Sequence, residues 1–291
     1  MSGMGDVGFI GTGTLTAAVV RGIRSREIAR TIRLSPRSEE LSQALCSELE
    51  NVVRDSSNAD VVANSDIVIL AVRPQQLDDA LKGLTFRPDQ IVVSFVATVA
   101  TADVARLVAP AERVCRVTPL PSIASAKGPI IISPAITEVV DLFQGLGDLI
   151  LARTEDEIMK LGCASGLMST FFELEHSVAA WLVKRGVPSD HASLYVRSLF
   201  SSLADTALRQ AGIQLLTLAD QHQTLGGLNE HARQHLNAAG LFDRLQSALD
   251  SVSAQSLRSV AFGSPRLRSW ENADIGLHAR ALTCLEISYD R

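Results

Sequence analysis

Lysine is scarce in this chain. Only Lys82, Lys127, Lys160 and Lys184 are lysines, and the other basic residues are arginines. Aromatic residues make up 4% of the sequence and the net charge is −5. No basic stripe with interleaved aromatics forms, which argues against a nucleic-acid partner. The four cysteines, Cys46, Cys115, Cys163 and Cys284, have no paired short spacing. That pattern fits neither a zinc site nor a disulfide framework, so no metal and a reducing, cytoplasmic setting are expected. No uninterrupted apolar run is long enough to span a bilayer. No charged start leads into an apolar stretch with a small-residue cleavage site, so a soluble protein with no membrane partner is expected.

What is present is a strand running into glycines. Asp6-Val7-Gly8-Phe9-Ile10 leads to Gly11-Thr12-Gly13-Thr14-Leu15 and then to an apolar, small-residue helix. Gly11 would permit the sharp turn, and Gly13 would leave room for a pyrophosphate on the free N–H groups of the helix start. The usual third glycine is absent, because Thr16 stands there and Ala17 follows. A Gly-x-Gly pair occurs in many tight turns. Its place after a strand and before a helix is what gives it weight.

With 291 residues, two domains are expected. Strand-like and helix-like segments alternate through the first half. Strands are expected at Asp6–Ile10, Thr31–Ser35, Asp66–Val72, Ile91–Val96, Arg113–Val117, Pro129–Ile132 and Asp148–Leu151. Helices are expected at Leu15–Arg26, from a Ser38 cap to Glu50, and at Asn58–Ala63, Gln75–Lys82, Thr101–Val108 and Thr137–Gln144. This alternation implies right-handed crossovers and a doubly wound, mostly parallel sheet of the Rossmann type. Near Thr154 the texture changes, and no strand-like stretch follows. Helices are expected at Glu155–Lys184, Asp190–Ala211, Asn229–Ala239 and Phe242–Val260. The organisation read here is a dinucleotide-binding domain at residues 1–152, an all-helical domain at 153–262, and a weakly periodic tail at 263–291.

The residues after the second strand select the cofactor. An enzyme for NAD usually places an acid there to bind the ribose 2′-hydroxyl. Here Ser35-Pro36-Arg37-Ser38 carries none. The Ser35 hydroxyl and the Arg37 guanidinium suit a 2′-phosphate, so NADP is expected, with NAD the alternative.

Several motifs together resemble the pyrroline-5-carboxylate reductase family. Gly8-Phe9-Ile10-Gly11-Thr12-Gly13 looks like that family's phosphate loop. Ala71-Val72-Arg73-Pro74-Gln75 resembles its "AVKPQ" segment, with Arg for Lys. Val93 to Thr98 resembles the strand end beside the nicotinamide, which brings in Ala97 and Thr98. Asn58 matches an Asn on the adenosine side of the cofactor. Further along, the family's "MPNTP" turn is Thr118-Pro119-Leu120-Pro121-Ser122, and its "SGSGPAY" helix start is Cys163 to Ser169. Its "SPGGTT" loop, which holds the substrate carboxylate, is Thr224-Leu225-Gly226-Gly227-Leu228-Asn229.

The resemblance implies hydride transfer from NADPH to the C=N carbon of a small cyclic imino acid, as in proline synthesis. Gly226, Gly227, Leu228 and Asn229 would then contact substrate. Asn229 would orient it, and Thr224 or a water would supply the proton. It also implies a homodimer through the helical domain, whose Leu, Val and Ala content exceeds what one small layer needs. The changes in the substrate motifs leave room for another cyclic imino acid or a carbonyl acid.

Three other classes share part of this pattern. A β-hydroxyacid dehydrogenase would carry a catalytic lysine on the long helix, yet Phe171 to Val183 has none, Lys184 lies at the far end and Lys160 comes too early. Deazaflavin-linked NADP oxidoreductases lack a long helical half. A non-catalytic NADP-binding paralogue would bind cofactor without transferring hydride. His231 and His235, four apart, are read as an exposed helix face rather than a metal site. Glu173 and Glu175, two apart, project from different faces. Trp181 is read as core or interface and Cys163 as packing.

Overall fold

The computed structural model describes residues 5–26 and 31–261, with side chains described as far as residue 255. The tail at 263–291, with Cys284, lies outside the described residues. Two compact units emerge, one reaching Glu155 and the other running from Asp156 to Leu257.

The first unit alternates strands and helices. In order come β1 (Val7–Ile10), α1 (Thr14–Arg24), β2 (Ile32–Leu34), α2 (Glu39–Glu48), β3 (Val52–Arg54), α3 (Asn58–Ala63) and β4 (Ile67–Leu70). A 3-10 turn at Pro74–Gln76 precedes α4 (Leu77–Leu81) and β5 (Ile91–Ser94). Then follow α5 (Thr101–Leu107), β6 (Arg113–Thr118), a 3-10 turn at Pro121–Ser125, β7 (Pro129–Ser133), α6 (Thr137–Phe143) and β8 (Asp148–Leu151).

These eight strands form one sheet in the order β3-β2-β1-β4-β5-β6-β7-β8. Strands β1 to β6 are parallel. β7 runs antiparallel to β6, and β8 follows β7. The doubly wound, mostly parallel sheet expected from the alternation is therefore what forms. Helices cover both faces, so the central strands β1, β4 and β5 are buried at every position. One cluster, with Phe9, Ile23 and Phe143, lies on one face; the other, with Ile10, Leu70 and Phe86, lies on the opposite face. The side chains of β1 alternate between the two clusters, as pleating requires.

Three local readings need correction. Val52–Arg54 is a strand, although no strand was expected there. Its exposed edge position leaves only Val52 buried, too little for an apolar signal. Ser38 does occupy the N-cap of α2, but it sits at φ 61 in the left-handed region and makes no side-chain cap bond. The expected helix at Gln75–Lys82 is a 3-10 turn followed by one short helix.

The second unit is all helical. It comprises α7 (Glu155–Ala164, whose first residue belongs to the sheet unit), α8 (Met168–Val183), α9 (Ser189–Arg209), α10 (Leu215–Gln221), α11 (Leu228–Ala238) and α12 (Leu241–Ala261). The helical stretch expected at Glu155–Lys184 forms as α7 and α8 with a 3-10 turn between them at Ser165–Leu167. α10 was not anticipated. Few side chains of this unit are buried, notably Ile158, Ala192, Val196 and Leu218.

Candidate functional site

In a doubly wound sheet, ligands bind beyond the carboxyl ends of the strands, where the strand order reverses. Here that point lies between β1 and β4. Gly11 turns the chain there with φ +102. A Cβ at this position would meet the Ala71 carbonyl oxygen at 2.5 Å and Val72 Cγ1 at 2.9 Å. Gly11 is therefore required by the protein's own packing and backbone.

Gly13 is different. It is the N-cap of α1, with an extended backbone, and an added Cβ would meet nothing within 4 Å. No packing among the described residues calls for glycine here. The helix start has neither an acidic residue in its first turn nor a side-chain cap. Its N–H groups and dipole thus face open space, which is the arrangement an anion needs. A pyrophosphate fits this corner, with Thr12 to Leu15 supplying main chain.

The turn is braced from inside. Gly11 N–H donates to Ser35 Oγ at 2.9 Å, Thr12 Oγ1 donates to the Ser35 carbonyl at 3.2 Å, and Thr16 Oγ1 donates to the Gly11 carbonyl at 2.8 Å. Ser35 is 1% exposed. Its hydroxyl was expected on a 2′-phosphate, but the structure spends it on the glycine turn. Arg37, two residues on, is exposed.

Arg54 was missed with its strand. It pairs in register with Leu34 of β2, and its Nη2 donates to the Pro36 carbonyl at 3.1 Å. The same Nη2 lies 3.6 Å from Glu39 Oε1. Its neighbour Asp55 bonds to Arg33 at 3.1 Å; burial pushes that carboxyl up and the Arg33 charge opposes the shift.

The other cofactor candidates gather at the same edge. Ala71 N–H donates to the Ile10 carbonyl at 2.8 Å, continuing the β1–β4 ladder. Arg73 is exposed before the Pro74 turn, and Ala97 and Thr98 follow the end of β5. Asn58 opens α3 and donates through Nδ2 to the Ala80 carbonyl at 3.0 Å, leaving Oδ1 as the atom that can face a ligand. Next to it, the hydroxyls of Ser56 and Ser57 hold the Asp60 carboxyl below its usual range.

The substrate candidates sit in the second unit, at the start of α11. Gly226 has φ +72, and Gly227 caps the helix with its N–H donating to the Thr224 carbonyl at 2.8 Å. A Cβ on Gly227 would stand 2.4 Å from Thr224 Oγ1 and 3.0 Å from the Thr224 carbonyl oxygen, so Thr224 would have to move. Leu228 is 90% exposed. Asn229 Nδ2 donates to the His222 carbonyl at 2.7 Å, bracing the loop. Gly226 N–H donates to Glu230 Oε2 at 2.6 Å. An internal carboxylate thus occupies an N–H that the resemblance would give to substrate. A glutamate three positions into a helix, reaching back, is the sequence signal for this contact.

His231 and His235 lie exposed on α11. Trp181 is 52% exposed, and Arg185 stacks 3.8 Å from its ring centroid.

A family model described as NADP oxidoreductase coenzyme F420-dependent matches residues 6–98, within the sheet unit. The pyrroline-5-carboxylate reductase of Pseudomonas aeruginosa is 32% identical over 100 residues, which is 33% of this chain and 36% of that protein. Pyrroline-5-carboxylate reductase 2 of Rattus norvegicus is 28% identical over 282 residues, covering 88% of this chain and 85% of the relative. The crystal structure of Plasmodium falciparum pyrroline carboxylate reductase with NADP bound matches with a TM-score of 0.74 at 16% identity, over 88% of this chain and 98% of that one. The similarity read from the motifs therefore extends through both units.

Proposed function

We propose that this relative of the pyrroline-5-carboxylate reductases is an NADPH-dependent oxidoreductase that reduces the C=N bond of a cyclic imino acid, as in proline synthesis. The observation that carries the reading is the corner at Gly11–Leu15. One glycine there answers to packing, and the other leaves open space at an uncapped helix start. Thr12, Thr14, Ala71, Val72, Arg73, Pro74, Ala97 and Thr98 complete the proposed cofactor edge, with Asn58 and Arg37 on the adenosine side.

When bound, NADPH supplies a hydride from the reduced nicotinamide ring to the imine carbon, leaving NADP⁺. The C=N electron pair moves to nitrogen, which takes a proton. The chain's part is to hold the two carbons in contact and keep water out. Where the nitrogen takes that proton first, the iminium so formed is already electrophilic, so no strong protein acid is needed during hydride transfer. The Thr224 hydroxyl or a water delivers the proton. Gly226, Gly227, Leu228 and Asn229 are the proposed substrate loop, with Asn229 positioning the loop through His222.

The β-hydroxyacid dehydrogenase alternative lacks its base, since α8 carries no lysine and Lys184 stands only at its C-cap. A second reading, an imine other than the relatives' substrate, is favoured by Glu230 on the Gly226 N–H.

The proposed assembly is a homodimer through the helical unit. Phe172, Trp181, Leu194, Tyr195 and Leu208 are each more than half exposed on α8 and α9. Apolar surface of that extent calls for a partner. A groove of about 530 Å³ between these helices is lined by Phe172, Val183 and Val196 together with the polar side chains of His176 and Arg197. No helix among the described residues is long and apolar enough to cross a membrane. The proposed setting is the cytoplasm, in keeping with Cys46 and Cys115 as thiols.

The test is oxidation of NADPH with pyrroline-5-carboxylate and related cyclic imines, NADH being run beside it. Turnover with at least one imine is expected. Tight NADPH binding with no turnover on any imine or keto acid would leave only the non-catalytic paralogue.

A further inference from the structure

We propose that Arg54 determines cofactor choice by binding the 2′-phosphate of NADPH together with Arg37. This rests on the nucleotide reading of the Gly11–Leu15 corner.

The observations are local to one sheet edge. In this fold the adenosine ribose lies over the carboxyl end of the second strand, where an acid or an arginine tells NAD from NADP. Three residues near that end could meet it. Ser35 is not open to a ligand, because it is 1% exposed and its Oγ is enclosed by the Gly11 N–H at 2.9 Å and Thr12 Oγ1 at 3.3 Å. Arg37 is exposed on the turn itself. Arg54 approaches from the neighbouring strand.

The place of Arg54 is fixed by backbone. It is the last residue of β3, in register with Leu34, the last residue of β2. From there its Nη2 reaches the Pro36 carbonyl at 3.1 Å, so the guanidinium lies along the Ser35–Arg37 turn. That bond uses one of five N–H donors and leaves a fork for phosphate oxygens. The side chain is 31% exposed. Its charge is therefore less screened than a fully solvated one, yet still open to a ligand.

One acid stands against the phosphate. Glu39 Oε1 lies 3.6 Å from Arg54 Nη2 and accepts from Gln43 Nε2 at 3.0 Å. A phosphate entering the fork would displace Glu39 from Arg54. In that geometry Glu39 weakens NADPH binding. The sequence pointed to Ser35 and Arg37 but not to Arg54, because Arg54 lies well beyond the β2 turn and only the β2–β3 pairing brings it back.

The experiment is a binding titration of the full chain with NADPH, NADH, 2′,5′-ADP and AMP, in native protein and in the variants Arg54→Ala, Arg54→Met, Arg54→Lys and Glu39→Gln. Loss of Arg54 should weaken NADPH and 2′,5′-ADP roughly tenfold or more while leaving NADH and AMP within about twofold. Arg54→Met keeps the apolar stem and controls for lost packing. Arg54→Lys should recover part of the preference as a point charge. Glu39→Gln should tighten NADPH selectively.

Equal loss for phosphorylated and unphosphorylated nucleotides, or no loss in either, would overturn the proposal. Native protein that prefers 2′,5′-ADP regardless of residue 54 would remove this inference and leave the cofactor reading standing. Native protein that binds no nucleotide would remove both.

Discussion

Arg116 and Glu155 form an ion pair in which the arginine is buried and the carboxylate is half-buried. Arg116 lies on β6 with 2% exposure, and its Nη1 is 2.7 Å from Glu155 Oε1 at the start of α7. Its Nη2 donates to the Val99 carbonyl, and Thr101 Oγ1 donates to Glu155 Oε2 at 2.6 Å. Burial pushes the Arg116 guanidinium down in pKa and the Glu155 charge opposes this. Strands, loop and helix start are thus tied at one charge. Removing the carboxylate leaves that charge buried and unpaired, which in a fully buried pair costs about 3–5 kcal/mol. Glu155 is a third exposed, so water recovers part of this. Glu155→Ala should therefore destabilise the chain by about 2–3 kcal/mol in urea unfolding. Replacing both residues together, as Arg116→Met with Glu155→Leu, should cost less than the single change. A single variant as stable as native protein would show that the pair holds nothing.

The two loop glycines should separate stability from binding. Gly13→Ala meets no neighbour and has an ordinary backbone, so it should change stability by no more than about 1 kcal/mol, the scale of an N-cap effect. It should still lower nucleotide affinity by an order of magnitude or more, because its methyl would take phosphate space. Gly11→Ala combines φ +102 with a 2.5 Å approach to the Ala71 carbonyl and should cost about 1–3 kcal/mol. Thermal unfolding and NADPH titration of both variants check this. Unchanged NADPH affinity in Gly13→Ala would take the phosphate out of this corner.

Glu230 offers a test of the substrate loop. Glu230→Ala frees the Gly226 N–H and costs about 0.5–1 kcal/mol of helix capping. If the loop takes a substrate carboxylate, KM for carboxylate-bearing imines should fall while kcat holds. If the native substrate lacks that carboxylate, KM should stay where it is. Steady-state kinetics with a cyclic imine and its carboxylated counterpart distinguish the two.

How much of this was legible in sequence depends on where each partner lies. β4 and β5 were readable because both faces are covered, which makes Ile67–Leu70 and Ile91–Ser94 apolar at every position or nearly so. Val52–Arg54 was hidden because an edge strand with Val53 38% exposed lacks that signature. The reversal of β7 was hidden as well, since an apolar run carries no direction. The break at Ser165–Leu167 falls within the Cys163–Ser169 stretch that the resemblance gives as a helix start; periodicity alone does not locate it, because its residues keep helical spacing. At the site, Gly11 and Gly13 stood out because backbone demands are local. The commitment of Ser35 to a turn 24 residues away, and of Arg54 to Pro36, depends on strand pairing that no local pattern records.

Cys115 gives a pH dependence with a definite sign. It is fully buried on β6, and burial alone pushes its thiol from 9.0 up to about 12. A raised acid pKa means that the folded chain keeps its proton where the unfolded chain has released it. The thiol's contribution is therefore complete below about pH 9 and declines between about 9 and 12, by about 1.4 kcal/mol per pH unit at most. The informative quantity is the difference between native protein and Cys115→Ala, because every other ionisable group is common to both. The variant should be less stable at neutral pH by about 1 kcal/mol, for the lost packing of one small side chain. Its disadvantage should shrink and then reverse as pH rises past 9, because it has no proton to hold. Urea unfolding of both proteins across mildly alkaline pH measures this, and parallel stability curves would show that Cys115 reaches water in the folded chain.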